Sequence, residues 1–517
     1  MGGLVITGLR ALASCGLLSG FRPWHLPGVV RAVWHGGLSP ATLIGIAAAH
    51  RSGAPGVIDD RGTITYGELD SGAARLAEGL AHRAERPHIA ILCRNHRGFV
   101  LALAAAGRLG SDVLLLNTDF SGPQLAAVLD RSRPDLVIAD EEFLPHLGNQ
   151  DVVVAWRDAG ESEVDRMIAA HPPRAGRGGS GAITILTSGT TGTPKGAPRR
   201  PDPLAMLGPA ATILDRTSLR AGDAFVVAPP LFHGFGLAIL AIAVTLRGPV
   251  VLRRRFDPET TLADVERHGG ALLAAVPVML QRILALPDDV RARYRRDRLH
   301  TVFSGAAPLR PELAERLLAE FGDVLFNGYG SSEVGIASVA TPADLRAAPG
   351  TVGKPSLGVP IRVLDEQRRP VSTGRPGTIF VGGALLVDGI GKEIADGLMS
   401  TGDLGHFDAE GRLHVDGRTD DMIVSGGENV FPQEVEDLLT RHPAIADAVV
   451  VGTDDAEFGQ RLVAYVVARG ARPDPADLRE HVKANLARYK VPRSFVFLDE
   501  LPRNPTGKVV RRDLPAD

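Results

Sequence analysis

From Gly56 onward, short apolar runs alternate with longer stretches of mixed polarity. Residues 57–66 read as a hairpin turning at Asp60-Arg61-Gly62, and Glu68 to Arg83 as a helix. A buried strand at His88–Cys93, an apolar helix at Gly98–Leu109 and a strand at Val113–Leu116 follow. Gln124–Arg131 and Leu136–Ala139 continue the alternation. Ala182–Leu186 reads as a short buried strand, Asp223–Ala228 as another, and an apolar helix runs to Leu246. Ala271–Val276 is a strand leading into a helix at Pro277. Strand and helix in turn, with short connections, predict a layered, mainly parallel α/β sheet.

From about Asp421 the pattern changes. Ala446–Gly452, Arg461–Val467 and Ser494–Phe497 read as strands of a compact second unit. Pro432 is placed as the first residue of a helix through Arg441, with Glu434 and Glu436 near its positive end. Pro475–Leu486 is a second helix with Asp474 as its N-cap.

A chain of 517 residues has room for two to four domains. A net charge of −3 gives no reason to expect nucleic acid. Two cysteines, Cys15 and Cys93, exclude a disulfide framework and point to a reducing, cytoplasmic compartment. Residues 1–20 are mostly apolar but carry Arg10 and no basic leader, so neither a cleaved signal nor a spanning helix is expected. They read equally as a helix lying on a membrane surface or as one packed on the domain. Six lysines stand against 51 arginines, so each lysine marks a place where arginine was not used.

Two of those lysines end glycine-rich stretches. Thr187-Ser188-Gly189-Thr190-Thr191-Gly192-Thr193-Pro194-Lys195-Gly196 follows the predicted strand with five hydroxyl groups and one ammonium. Glycine lets successive N–H groups face one concavity, which makes a phosphate cradle. Thr193 and Pro194 separate Gly192 from Lys195, so the spacing is not that of a Walker A loop. Near the C-terminus, Pro502-Arg-Asn-Pro-Thr506-Gly507-Lys508 sets a lysine on a loop bounded by proline and glycine.

Several further stretches stand in order between them: Leu231-Phe-His233-Gly-Phe235-Gly, Ser304-Gly305-Ala306-Ala307-Pro, Asn327-Gly-Tyr329-Gly330-Ser-Ser332-Glu333, and the polar turn Ser400-Thr-Gly-Asp403. Arg418-Thr-Asp420 and Ser425-Gly426-Gly427-Glu428-Asn-Val-Phe-Pro complete the series. From about Thr63 to Arg512 the chain resembles the adenylate-forming superfamily, and in its acyl-CoA synthetase branch most closely. The resemblance implies an α/β fold: a large N-terminal domain of several layered sheets (1–417), a hinge (418–420) and a small mobile α+β C-terminal domain (421–517). It implies ATP, Mg²⁺ and CoA as cofactors and a small carboxylic acid, leaning to a medium- or long-chain fatty acid, as substrate.

Residue by residue, the resemblance assigns Thr187 to Gly192 and Lys195 to the nucleotide phosphates. It assigns Gly305, Ala306, Ala307, Asn327, Tyr329 and Ser332 to the nucleoside, and Asp403 to the ribose. Arg418 would meet ribose and α-phosphate, and Glu333 would ligate Mg²⁺. His233, Phe235, Val276 and Gly330 would border the acid. Ser425, Gly426, Gly427 and Glu428 would face CoA, Asp420 would be the hinge, and Lys508 the catalytic lysine, acting with Lys195, Glu333 and His233. Residues 382–399 are short beside the family's usual loop, which leaves open another acceptor: a carrier protein, an amine or a small nucleophile. No carrier domain follows Lys508, which implies a stand-alone enzyme.

Overall fold

The computed structural model describes residues 13–17, 22–186, 196, 198–199, 203–331, 334–383, 393–418, 421–425, 428–455, 459–505 and 507–515. The fold is α/β, with a large N-terminal domain and a smaller C-terminal one. By internal contacts the chain divides into two units. One comprises Met1–Ser304, Ser331–Gly335 and Ala384–Gly391, the other Gly305–Gly330, Ile336–Gly383 and Lys392–Asp517.

The first unit is built on two sheets. In one, Thr301–Gly305, Gly270–Ala275, Ala224–Val227, Val250–Leu252 and Pro55–Asp59 lie side by side and parallel, in that order. Gly62–Thr65 closes the edge as the predicted hairpin. In the other, Val152–Trp156, Leu136–Asp140, Ile89–Leu92, Val113–Leu115 and Ile183–Ile185 are parallel, and Pro198–Arg199 is antiparallel at the edge. The strands are buried on both faces, which is why they read as continuous apolar runs. Ile183–Ile185 departs from the expectation of a buried strand: all three residues are only half-buried.

The helices begin where the chain supplies caps. Thr65 and Glu68 form a capping box before Tyr66–Ala81. Asp257 accepts the Thr260 N–H at the start of Pro258–His268. Among the described residues no helix is long and apolar enough to cross a membrane.

The second unit is richer in antiparallel strands. Ile361–Leu364, Gly377–Val381, Leu398–Phe407, Leu413–Arg418, Thr351–Pro355 and Gly335–Ala340 form a consecutive antiparallel series. Residues 421–515 add a smaller sheet in which Gly459–Ala468 pairs antiparallel with Ile445–Asp455 and parallel with Ser494–Leu498. Alternation along its strands serves two faces. Ala448, Val450, Leu462, Ala464 and Val466 bury against helices Pro432–Arg441 and Pro475–Asn485. Val449, Val463 and Tyr465 bury against Leu501, Val509 and Leu514 of the C-terminal segment. That second core anchors the segment carrying Lys508.

The stretch read as a polar turn belongs to a strand, as does the one holding Tyr329. Asn327 and Tyr329 lie within Leu325–Ser331, and Ser400–Gly405 lies within Leu398–Phe407. Gly402 sits at φ +80°, and the pairing shifts between Leu404 and Gly405. The turn-like composition therefore marks an irregularity inside a strand rather than its end.

Candidate active site

Three of the singled-out stretches in the first unit follow the C-terminal ends of parallel strands, where open α/β sheets gather ligands. Ala224–Val227 leads to His233, the N-cap of helix Gly234–Thr245. Gly270–Ala275, its neighbour, leads to Val276, the N-cap of Pro277–Leu284. Thr301–Gly305, next again, brings Phe303 within a 6.1 Å ring separation of Phe235. Val276 and Phe303 are both buried. The expected acyl-facing residues of this unit thus stand at the same ends of neighbouring strands, Phe235 and Phe303 facing each other as an apolar wall, with Val276 and His233 at the adjoining helix caps.

In the second sheet of the same unit, Ile183–Ile185 runs into the hydroxyl- and glycine-rich stretch, and Pro198–Arg199 returns antiparallel to it. A Cβ on Gly196 would lie 2.8 Å from the Ile185 carbonyl, so the returning strand passes too close for any other residue. The stretch is therefore held by both ends. Thr187, Ser188, Gly189, Thr190, Thr191, Gly192 and Lys195 themselves lie outside the described residues. So do Ser332, Glu333, Asp420, Gly426 and Gly427, and the side chains of Ser425 and Glu428. The backbone of the last two belongs to an antiparallel pair, Ile423–Ser425 with Glu428–Val430.

The second unit gathers a polar cluster. The Tyr329 hydroxyl donates to Asp403 Oδ2 at 2.6 Å, and Arg418 Nη1 reaches Oδ1 at 3.3 Å. Asp403 and Arg418 face each other across adjacent strands, so the pairing of Leu398–Phe407 with Leu413–Arg418 fixes their register. The Asp403 N–H donates to Thr401 Oγ1, which in turn donates to the Ile379 carbonyl. Dehydration of the Tyr329 hydroxyl and the Asp403 charge hold its pKa well above the usual tyrosine value. The phenol stays a donor and the carboxylate stays an acceptor. A carboxylate has about four lone-pair directions, so this one keeps acceptor capacity for the hydroxyls of a sugar.

Two further features point to a ligand here. Asn327 is 4% exposed, and its Oδ1 has no partner among the described residues. A buried orphan acceptor costs free energy unless something donates to it, and an exocyclic amine on a purine is such a donor. Ala306 stands at φ +67° although it is not glycine, a strain of roughly 1 kcal/mol or more that persists where the surroundings demand it. No sequence signal announced either feature.

Lys508 is exposed and sits on a tight turn. The Gly507 N–H donates to the Asn504 carbonyl, and Asn504 N–H donates to the Lys508 carbonyl. The Lys508 N–H donates to Asn504 Oδ1 at 2.9 Å. Gly507 takes φ +79° to close the turn. Arg503 clamps it from outside, donating to the Gly507 carbonyl and, at 2.6 Å, to Asp447. Asp447 also accepts from Arg310 at 2.9 Å, and Arg310 donates to the Ala448 carbonyl at 2.5 Å. Sequence reasoning missed Asp447 and Arg310, which are 137 positions apart.

A glycine- and hydroxyl-rich stretch between paired strands, a carboxylate held by a tyrosine and an arginine, and a buried orphan acceptor are features that a nucleotide-using enzyme on an α/β scaffold would be expected to carry. The AMP-binding enzyme family matches residues 46–390, and the AMP-binding enzyme C-terminal domain matches residues 434–508. A 2-succinylbenzoate–CoA ligase of Geobacillus kaustophilus is 34% identical over 473 residues, covering 89% of this chain and 94% of its own. An indoleacetate–CoA ligase of Aromatoleum aromaticum is 33% identical over 482 residues, covering 87% and 92%. The structure of o-succinylbenzoate CoA synthetase from Bacillus subtilis with its acyl-adenylate intermediate matches with a TM-score of 0.81 at 28% identity, over 92% of this chain and 98% of that one. The chain belongs to the AMP-binding enzyme family, in the acyl-CoA synthetase branch of the adenylate-forming superfamily.

Mg²⁺ accompanies ATP in this class; Glu333, the residue expected to ligate it, lies outside the described residues. The one group of three candidate ligands among the described residues, Cys93, His96 and Asp140, is fully buried. A thiol and an imidazole do not suit Mg²⁺. His96 also has both nitrogens engaged, one by Asp140 and one by the Gly98 N–H.

Proposed function

We propose that the acid this enzyme activates is apolar and monocarboxylic, a medium- or long-chain fatty acid. The enzyme is an AMP-forming acid–thiol ligase that uses ATP and CoA. The observation that carries the acid reading is the wall of Phe235 and Phe303, with Val276 and His233 at the adjoining helix caps. Those surfaces reward burial of hydrocarbon without directing it.

A carboxylate is a poor acyl donor because its leaving group would be oxide. Attack of a carboxylate oxygen on the α-phosphorus forms acyl-AMP and releases pyrophosphate. A thiol then attacks the acyl carbon, loses its proton, and AMP leaves with the bonding electrons. In the first half-reaction two anions approach each other. Lys508, presented on its clamped turn, is the cation proposed to bridge the acid and the α-phosphate. Lys195 and the hydroxyl stretch Thr187–Gly192 would offset the remaining phosphate charge. Asp403 and Tyr329 would hold the ribose, Asn327 the base, and Arg418 the ribose and α-phosphate. We further propose that residues 418–420 form a hinge about Asp420, dividing 1–417 from 421–517. Turning there would withdraw Lys508 and bring Ser425–Glu428 toward CoA.

A second reading of the acid is aryl. It is favoured by the relatives, which are named for succinylbenzoate and indoleacetate, and by a wall whose rings would also stack on an aromatic acid. A non-CoA acceptor is the alternative for the second half-reaction. Product analysis by mass spectrometry separates these readings. The protein is given ATP, Mg²⁺ and a panel of alkyl and aryl acids, with and without CoA. The proposal expects acyl-CoA and AMP, with kcat/KM rising along the alkyl series. A preference for aryl acids would replace the fatty-acid reading. AMP and pyrophosphate without acyl-CoA would point to another acceptor.

A further inference from the structure

Helix Leu26–Gly36 is built the wrong way round for a water-facing surface helix. Its inward positions Gly28, Ala32 and Gly36 recur every four residues and press on the following helix, Pro40–Arg51. A Cβ on Gly28 would stand 2.7 Å from the Ala49 Cβ, and one on Gly45 would stand 2.8 Å from the Ala32 Cβ. Large apolar side chains point the other way: Leu26, Val30, Val33 and Trp34, with Trp24 just before and Leu38 just after. Trp24 is 71% and Val30 64% exposed. A soluble helix turns its large apolar residues inward. Small residues inward and large ones outward, with tryptophan near both ends, is the pattern of a helix bathed in lipid or its interface.

The charge of this region is as one-sided as its hydropathy. The chain carries 60 acidic residues, yet none occurs before Asp59. Arg10, Arg22, Arg31 and Arg51 fall in the same span. A net charge of −3 overall makes this positive patch local rather than general.

A cavity of roughly 460 Å³ continues the patch. It is lined by Arg51, Arg220 and Arg247, with His50, Cys15 and Gly16. Among the described residues that line it there is no carboxylate. Arg247 is buried at 7% exposure, and its guanidinium donates to the Leu17 carbonyl. Burial and the neighbouring Arg51 lower its pKa, a cost that a bound anion would offset. The His25 and His50 rings lie 4.2 Å apart, so the start of the exposed helix abuts the cavity wall. Arg220 and Arg247 precede the parallel strands Ala224–Val227 and Val250–Leu252, whereas His233 follows the first of them. The cavity is thus a strand's length, roughly 13 Å, from the acid-binding end of the sheet.

We propose that this face docks on an anionic phospholipid bilayer, the outward side of Leu26–Gly36 entering the interface and the Arg51–Arg220–Arg247 cavity taking a lipid phosphate. The inference does not depend on which acid the enzyme activates. The test is sedimentation of the full-length protein with phosphatidylcholine vesicles, with and without phosphatidylglycerol. The expected result is binding only when phosphatidylglycerol is present, weakened by high salt. Val30→Glu/Trp34→Glu should lower binding about tenfold or more through lost apolar insertion. Arg51→Glu/Arg220→Glu, at exposed positions, should do the same through charge. Both double variants should keep the melting temperature and the rate of pyrophosphate release with a water-soluble acid.

Absence of vesicle binding would overturn the proposal, as would binding that neither variant changes. Vesicle binding absent while glycerol phosphate raises the melting temperature would make the cavity a site for soluble phosphate esters. A dimer that Val30→Glu/Trp34→Glu dissociates would make the helix a contact between copies of this chain. Either outcome replaces the bilayer.

Discussion

The second unit contains two clusters of arginine and carboxylate, and they behave differently. In the first, Tyr329, Asp403 and Arg418 meet with one carboxylate serving two donors, and acceptor capacity is left over. In the second, Arg310 stands among Asp447, Glu436, Asp437 and Glu312, with Arg441 and Arg503 at its edges. There carboxylates crowd each other. Glu436 and Asp437 have raised pKa values, chiefly from burial, and Asp437 reaches about 7. In the proposed function the first cluster receives the ribose. The second is knit by its arginines, although Glu312 Oε2 and Asp437 Oδ1 stay buried without a hydrogen bond among the described residues, and through Asp447 and Arg503 it holds the turn that carries Lys508. In the proposed function similar side chains thus serve recognition in the first cluster and positioning in the second.

Breaking the second cluster has the largest expected effect. Arg310→Ala leaves Glu436 and Asp437 without their main cation and takes one of two arginines from Asp447, and should lower unfolding free energy by about 3–5 kcal/mol. Denaturant titration would measure it; KM for ATP in the folded fraction should hardly move.

Lys508→Ala follows. Its site on the clamped turn predicts a loss of roughly 10²–10³ in acyl-adenylate formation, while transfer to CoA from supplied acyl-AMP is spared. Equal failure of both half-reactions would show that the lysine does not act on the first alone.

Opening the first cluster comes third. Asp403→Ala should reduce kcat/KM for ATP about 30- to 100-fold, since two donors lose a charged acceptor, and Tyr329→Phe about fivefold. Thermal stability should change little in either variant. A large fall in melting temperature with unchanged ATP kinetics would reverse the roles of the two clusters.

The smallest effect is a pH dependence. The Asp437 carboxyl binds its proton more tightly folded than unfolded. Its contribution is therefore complete below the unfolded pKa and is lost as pH rises through about 7. Linkage predicts a fall of about 1.4 kcal/mol between pH 6 and 8 from this group. Asp437→Asn should remove that slope. An unchanged slope would place the titration elsewhere, with Arg310, Glu312, Glu436 and Arg441 the groups that face it.

The contrast between the clusters is also a contrast in legibility. Tyr329, Asp403 and Arg418 stood in motifs, and strand pairing brought them together. The hairpin at Asp60–Gly62, the cap Asp474 and the helix start at Pro432 followed from local chemistry that tertiary structure did not override, whereas the helix expected from Glu68 begins at Tyr66 behind the Thr65 cap. Ser400–Asp403 was misread as a turn because glycine and small polar residues signal a bend as readily as a bulged strand. Arg310 and Asp447 could not be read at all. An ion pair across 137 positions leaves no periodic trace. Helix Leu26–Gly36 escaped notice for a different reason: its pattern is inverted, so an inward-facing rule has nothing to find. The proposed acid is specified only as a class, because an apolar wall rewards any hydrocarbon of fitting size, whereas the directional bonds proposed at Asp403 would specify their partner.

The most direct test of the central claim follows oxygen. The acid is supplied with ¹⁸O in its carboxylate, together with ATP, Mg²⁺ and CoA, and the AMP is examined by mass spectrometry. Reaction through acyl-AMP predicts one ¹⁸O in each AMP released with acyl-CoA. Label in inorganic phosphate, or AMP formed without any label, would contradict it.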